Sequence, residues 1–151
     1  MLVKEVKVTT VRESGTMHEV CSPEAAVKYW QAGIMTAPWF DADKECLVAL
    51  LLNTKNQIVG HTLVSIGTLN AALAHPREVF RAAVVSAANA VLVMHNHPSN
   101  DPTPSMDDKQ VTRQLADAGK VLDIQLLDHI VVSSDGTEYY SMKQHGEGAL
   151  S

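Results

Sequence analysis

The apolar run Ala90 to Met94, followed at once by His95-Asn96-His97, constrains this chain more than any other stretch. Five consecutive apolar residues are too few for a buried helix, and they read as a central strand covered on both faces. Side chains alternate along a strand, so His95 and His97 leave the same face at its C-terminal end, where both imidazoles reach one ion. A strand that needs cover on two faces places the chain in the α/β class.

Beyond the histidines the spacing is H-x-H-x(7)-S-x-x-D, with Ser105 and Asp108 as the last two members. Pro98, Pro102 and Pro104 limit the freedom of the intervening loop, so Asp108 can return as a third ligand. Three protein ligands with a fourth position left for water distinguish a catalytic zinc site from a closed structural one. Ser-x-x-Asp at a helix start is also close to a capping box, and that explains Ser105 and Asp108 without any chemistry. It does not explain the histidines.

Turn and cap signals order the rest. Val3, Val6, Val8 and Val11 suggest an opening strand over residues 2–11, and Ser22-Pro23-Glu24 starts a helix expected to run to about Ala32 and to end at Gly33. Cys46 to Leu52 reads as a buried strand, paired as a hairpin with Ile58 to Ile66 across the turn Asn53 to Asn56. Pro76 opens a helix with Val79, Phe80, Ala83, Val84 and Ala87 on one face, and Ser105 opens another with Val111, Leu115, Ala118 and Leu122 inward. Ile124 to Val132 and Glu138 to Met142 are the last expected strands, and the tail from Gln144 is expected to be mobile.

With 151 residues and 46% hydrophobic content, one domain over 1–151 is the expected organisation. Lys and Arg number 12 against 17 for Asp and Glu, a net charge of −5, so only weak, nonspecific nucleic-acid binding is expected. Cys21 and Cys46 form no paired framework, and no leader or membrane span is visible, which gives a cytoplasmic expectation with no membrane partner. Self-association is left open.

A hydrolytic metal site needs a base, and Glu45, Glu78, Asp101, Asp107 and Asp128 are all candidates that local pattern cannot separate. His18, His61, His75 and His145 lack a second ligand at useful spacing, whereas Asp128-His129 interrupts an apolar strand and could support the site or be a buried pair without catalytic part. Trp30, Trp39 and Phe40 read as packing.

From about residue 40 to 142, through KECLVALLLNTKNQIV, GTLNAALAHPREVFRAA, AVLVMHNHPSNDPTPS and LLDHIVV, the chain resembles the RadC-type branch of the JAMM/MPN metallopeptidase superfamily. The resemblance implies a three-layer MPN/JAB (cytidine-deaminase-like) fold with a curved mixed sheet and flanking helices. It also implies Zn²⁺ held by His95, His97 and Asp108, Glu45 as general base and Ser105 as oxyanion stabiliser, cleaving a peptide or isopeptide bond in an unidentified protein or peptide substrate. Asn100 stands where members usually carry Gly, and the longer members' N-terminal helix-hairpin-helix region has no counterpart here, which weakens a DNA-related expectation. Rival readings are a non-enzymatic scaffold or DNA-repair accessory, disfavoured by the intact ligands, and a deaminase-type zinc hydrolase, disfavoured by the absence of P-C-x-x-C.

Overall fold

The computed structural model describes residues 3–5 and 18–150. Val6, Val8 and Val11 of the expected opening strand lie outside the described residues, and residues 3–5 carry no strand. The elements are β1 (His18–Glu19), α1 (Pro23–Tyr29), β2 (Cys46–Leu52), β3 (Gln57–Ile66), α2 (Pro76–Val85), β4 (Ala90–His97), α3 (Met106–Leu122), β5 (Gln125–Ser133) and β6 (Tyr139–Ser141).

The strands form one mixed, open sheet in the order β1-β3-β2-β4-β5-β6. β2 lies between two antiparallel neighbours, β3 and β4, whereas β4 runs parallel to β5. A parallel pair needs a crossover, and α3 supplies it. β2 is buried at every position and β4 at all but its last, as their uninterrupted apolar runs require.

Each face of the sheet carries its own core. Leu47, Ala49, Leu51, Val91 and Val93 pack with Val79, Phe80 and Ala83 of α2 and Val111 and Leu115 of α3. Val48, Leu50, Leu52, Leu92 and Met94 pack on the other side with Ala26, Val27, Trp30 and Ile34. Helices therefore flank both faces of a mixed sheet.

Three local expectations change. Gly33 does not end the first helix, because α1 runs on into a π-helical turn over Trp30–Ile34, closed by Met35 N–H donating to the Trp30 carbonyl at 2.9 Å. Trp30 and Ile34 are both 0% exposed. Burying two such side chains contributes roughly 2–3 kcal/mol each, more than the ~1 kcal/mol that a helical glycine costs. On α2, Val79, Phe80 and Ala83 are buried as expected, but Val84 is exposed and Ala87 lies beyond the helix with φ +51°. On α3, Val111 and Leu115 are buried, Ala118 is half-buried and Leu122 is exposed, since the helix stops at its left-handed cap, Asp123.

The tail is packed. Leu150 enters the α2/α3 core, and Glu147 accepts from Lys109 Nζ and from the Tyr140 hydroxyl, both at 2.9 Å. His145 stacks on Tyr140 with ring centroids 3.9 Å apart. The Lys109 pairing and the Leu150 packing join residues far apart in the chain, which is why a polar stretch without periodicity gave no sign of them.

Candidate metal centre

The centre forms where β4 ends between an antiparallel and a parallel neighbour. Strand alternation aims His95 and His97 together toward the first turn of α3. The loop between them turns through Asn100 at φ +69°, a left-handed conformation that Asn tolerates better than most residues, so the exchange for Gly is accommodated. Its Oδ1 also accepts from the Ser134 hydroxyl at 3.2 Å, tying the loop to the turn after β5.

Ser105 is the N-cap of α3, and the capping box is complete. Its Oγ accepts from Asp108 N–H at 3.0 Å, and Asp108 Oδ2 accepts from Ser105 N–H at 2.8 Å. The box fixes the Asp108 rotamer so that its carboxylate faces both histidines. His95 Nε2 lies 3.3 Å from Asp108 Oδ1, His97 Nε2 lies 3.1 Å from Oδ2, and the two Nε2 atoms are 3.0 Å apart. A tetrahedral zinc site with ~2.0 Å bonds has ligand edges of about 3.3 Å. His95, His97 and Asp108 thus form a metal-binding triad whose side chains are 0%, 12% and 2% exposed.

Hydrogen bonds fix which ring nitrogens face the centre. His97 Nδ1–H donates to the Asp101 carbonyl at 2.8 Å, which turns Nε2 toward the centre. The Thr112 hydroxyl donates to the Asp108 carbonyl at 2.8 Å and so must accept from His129 Nδ1–H, at 2.6 Å. Burial pushes the His129 imidazole well below the ordinary histidine range, and the neighbouring His95 pushes it the same way, so the ring is neutral and its Nε2 is an acceptor. His95 Nδ1–H donates to it at 2.7 Å, turning His95 Nε2 toward the centre as well. Both Nε2 atoms and the Asp108 carboxylate therefore converge, and once the proton shared between His97 Nε2 and Asp108 leaves, the arrangement favours a cation.

The charges agree with that reading. The Asp108 hydrogen bond pushes His97 up, burial opposes, and the Asp101 carbonyl and the Glu45 charge add to the rise. Burial acts most strongly on Asp108 and pushes it up, but hydrogen bonds from His95 and His97 outweigh it and hold the carboxyl far below the usual range. A raised His97 stabilises the metal-free fold below the ordinary histidine pKa and loses that contribution as pH rises through the raised value. Metal has to displace this proton. Affinity is therefore expected to fall as pH drops through His97's raised value, beginning above the ordinary histidine range at about 6.5. Chelator competition across that window measures it, and a flat profile would contradict the proton at His97. Asp108 stays ionised throughout and contributes no slope.

A family model described as a RadC-like JAB domain matches residues 20–147. The chain belongs to this family. UPF0758 proteins are among those similar to it. That of Chlorobium chlorochromatii is 48% identical over 106 residues, which is 70% of this chain and 47% of the relative. That of Pelodictyon phaeoclathratiforme is 52% identical over the same shares, and that of Methanosarcina acetivorans is 43% identical over 85% of this chain and 53% of the relative. The chain spans about half the length of these curated relatives.

In this RadC-like chain, Glu45 is half-buried just before β2, and its Oε2 accepts from Leu69 N–H at 2.7 Å. The β2–β4 pairing ends at Leu47 with His95, which leaves Glu45 two residues before that pair, and its charge acts on His97. The competing acids are engaged elsewhere. Glu78 pairs with Arg81 on α2 at 3.1 Å, and Asp101 Oδ1 accepts from Thr103 N–H at 3.0 Å. Asp128 accepts from the His129 and Lys143 amides and from the Ser141 hydroxyl, a buried tie between β5 and β6, although burial still pushes its carboxyl up. Asp107 is exposed in the first turn of α3. His61 bonds Tyr29, His145 stacks on Tyr140, and His75 stands at the N-terminal boundary of α2 without a side-chain cap bond.

Sequence reasoning singled out His129 without deciding its role, and it missed Thr112. The one available signal was the position of Thr112 four residues after Asp108, a single helical turn inward. Thr112→Val keeps the shape but removes the hydroxyl that orients His129, and it is expected to weaken metal binding about 10–100-fold. Competition with a chromogenic chelator reads this. Unchanged affinity would show that the relay does not hold His95.

Proposed function

We propose that this chain is the catalytic domain of a zinc-dependent JAMM-type hydrolase that cleaves a peptide or isopeptide bond, within a three-layer MPN/JAB (cytidine-deaminase-like) fold with a curved sheet. The observation that carries the reading is the convergence of His95 Nε2, His97 Nε2 and the Asp108 carboxylate at the end of β4, each within 3.0–3.3 Å of the others. Two imidazoles and one carboxylate, three of the four ligands that a tetrahedral ion takes, suit zinc. Bound there, zinc would supply Lewis acidity, polarising a carbonyl and lowering the pKa of water.

The chain's own groups would do the rest. Glu45 takes a proton from the attacking water and passes it to the leaving amine. Ser105 spends an acceptor site of its Oγ on the Asp108 amide, so its O–H hydrogen is available to a developing oxyanion, and capping and catalysis do not compete. His129 and Thr112 hold His95 in its ligand tautomer. The two unpaired cysteines support a cytoplasmic setting. Among the described residues no helix is long and apolar enough to cross a membrane.

The test is a cleavage screen of peptide and isopeptide libraries with purified protein, before and after chelation and after zinc is restored. Cleavage that disappears with chelation and returns with zinc is the expected result. A zinc-loaded protein that cleaves nothing in either library would favour the scaffold reading.

A further inference from the structure

Asn96 sits between the two ligand histidines, is fully buried, and faces away from the triad. The β2–β4 main-chain register reaches Leu47↔His95 at the end near the centre. Beyond that pair the Asn96 carboxamide takes the place of a peptide group. Its Oδ1 accepts from Cys46 N–H at 2.8 Å, and its Nδ2 donates to the Lys44 carbonyl at 2.9 Å. These two backbone groups flank Glu45 on either side. From β3's direction Gly67 N–H donates to the Glu45 carbonyl at 2.8 Å, and Leu69 N–H holds its carboxylate. A chain end leaving a strand would otherwise fray, and a carboxylate on a frayed end samples many rotamers.

We propose that Asn96 is a positioning residue that brackets the Glu45 backbone and so aims its carboxylate at the centre, an inference that rests on Glu45 acting as the general base. The side chain has the right chemistry for this place, because it supplies one donor and one acceptor in the geometry of the missing peptide unit. An aliphatic residue here would leave the buried Cys46 amide without its partner. It also explains why a carboxamide stands between two ligands while contributing nothing to the triad.

The test compares Asn96→Ala and Asn96→Ser with Glu45→Gln and the unaltered protein, using Ser as the smaller disturbance should Ala fail to fold. Two readouts other than turnover are taken: the visible absorption bands of the Co(II)-loaded proteins, and the backbone amide resonance of Leu69 in the zinc-loaded ones. Both Asn96 variants are expected to retain a full complement of metal. Their Leu69 resonance should move at least half as far as it does in Glu45→Gln, and their cobalt bands should shift in the same direction. A purely structural Asn96 would move the Cys46 amide and the melting temperature but neither of these. If Glu45→Gln alters both readouts and the Asn96 variants alter neither, the positioning role is overturned and the base assignment stands. If metal-loaded Glu45→Gln keeps near wild-type turnover, the base assignment falls and takes this inference with it.

Discussion

A His95→Ala/His97→Ala double variant is expected to fall from about one tightly bound metal per chain, the stoichiometry of a single mononuclear site, to essentially none while keeping its fold. The expectation follows from where the triad sits. The apolar residues of the two cores are untouched, so the packing of α1, α2 and α3 stays in place, and the cost falls on the space vacated by the fully buried His95. Asp108 keeps the Ser105 amide as a partner. His129 loses the donor to its Nε2, a buried loss of about 1–3 kcal/mol, which lowers the melting temperature without unfolding a domain of this size. Elemental analysis of both proteins, with circular dichroism as the fold control, decides the matter. Equal metal in the two, or none in either, would remove the metal assignment.

The same site shows why some of this molecule was legible in the sequence. The ligands were readable because their constraint is local: an apolar strand, alternation, and a helix cap eight residues on. The β2–β3 hairpin was readable for a similar reason, since Asn53 Oδ1 accepts from the Lys55 and Gln57 amides in a turn whose residues announce it. Thr112 and His129 are 17 residues apart and meet only because α3 packs on β5, so neither position carries a mark of the relay by itself. Asn96 falls at the unspecified position of the H-x-H spacing. Its role depends on Lys44 and Cys46, about fifty residues away, which only the strand order β2-β4 brings alongside. The π-helical turn was hidden because Gly33 sends a stop signal that the burial of Trp30 and Ile34 overrides.

Glu45→Gln is expected to retain its metal and to lose turnover by roughly 10²–10⁴-fold, the ordinary contribution of a positioned general base. The amide oxygen can still accept from Leu69 N–H, so shape and anchoring survive while the capacity to take a proton is removed. Asp108→Ala is expected to behave differently, losing metal and turnover together. It removes one of three ligands and also half of the capping box, whose loss costs about 1 kcal/mol. The contrast matters because a variant that lost activity through metal loss alone would say nothing about the base. Metal analysis and single-turnover cleavage on the same preparations keep the two causes apart. Near wild-type turnover in metal-loaded Glu45→Gln would move the base elsewhere. Asp101 would then be the acid to test, since its backbone carbonyl already contacts His97, whereas Asp128 is committed to three donors between β5 and β6.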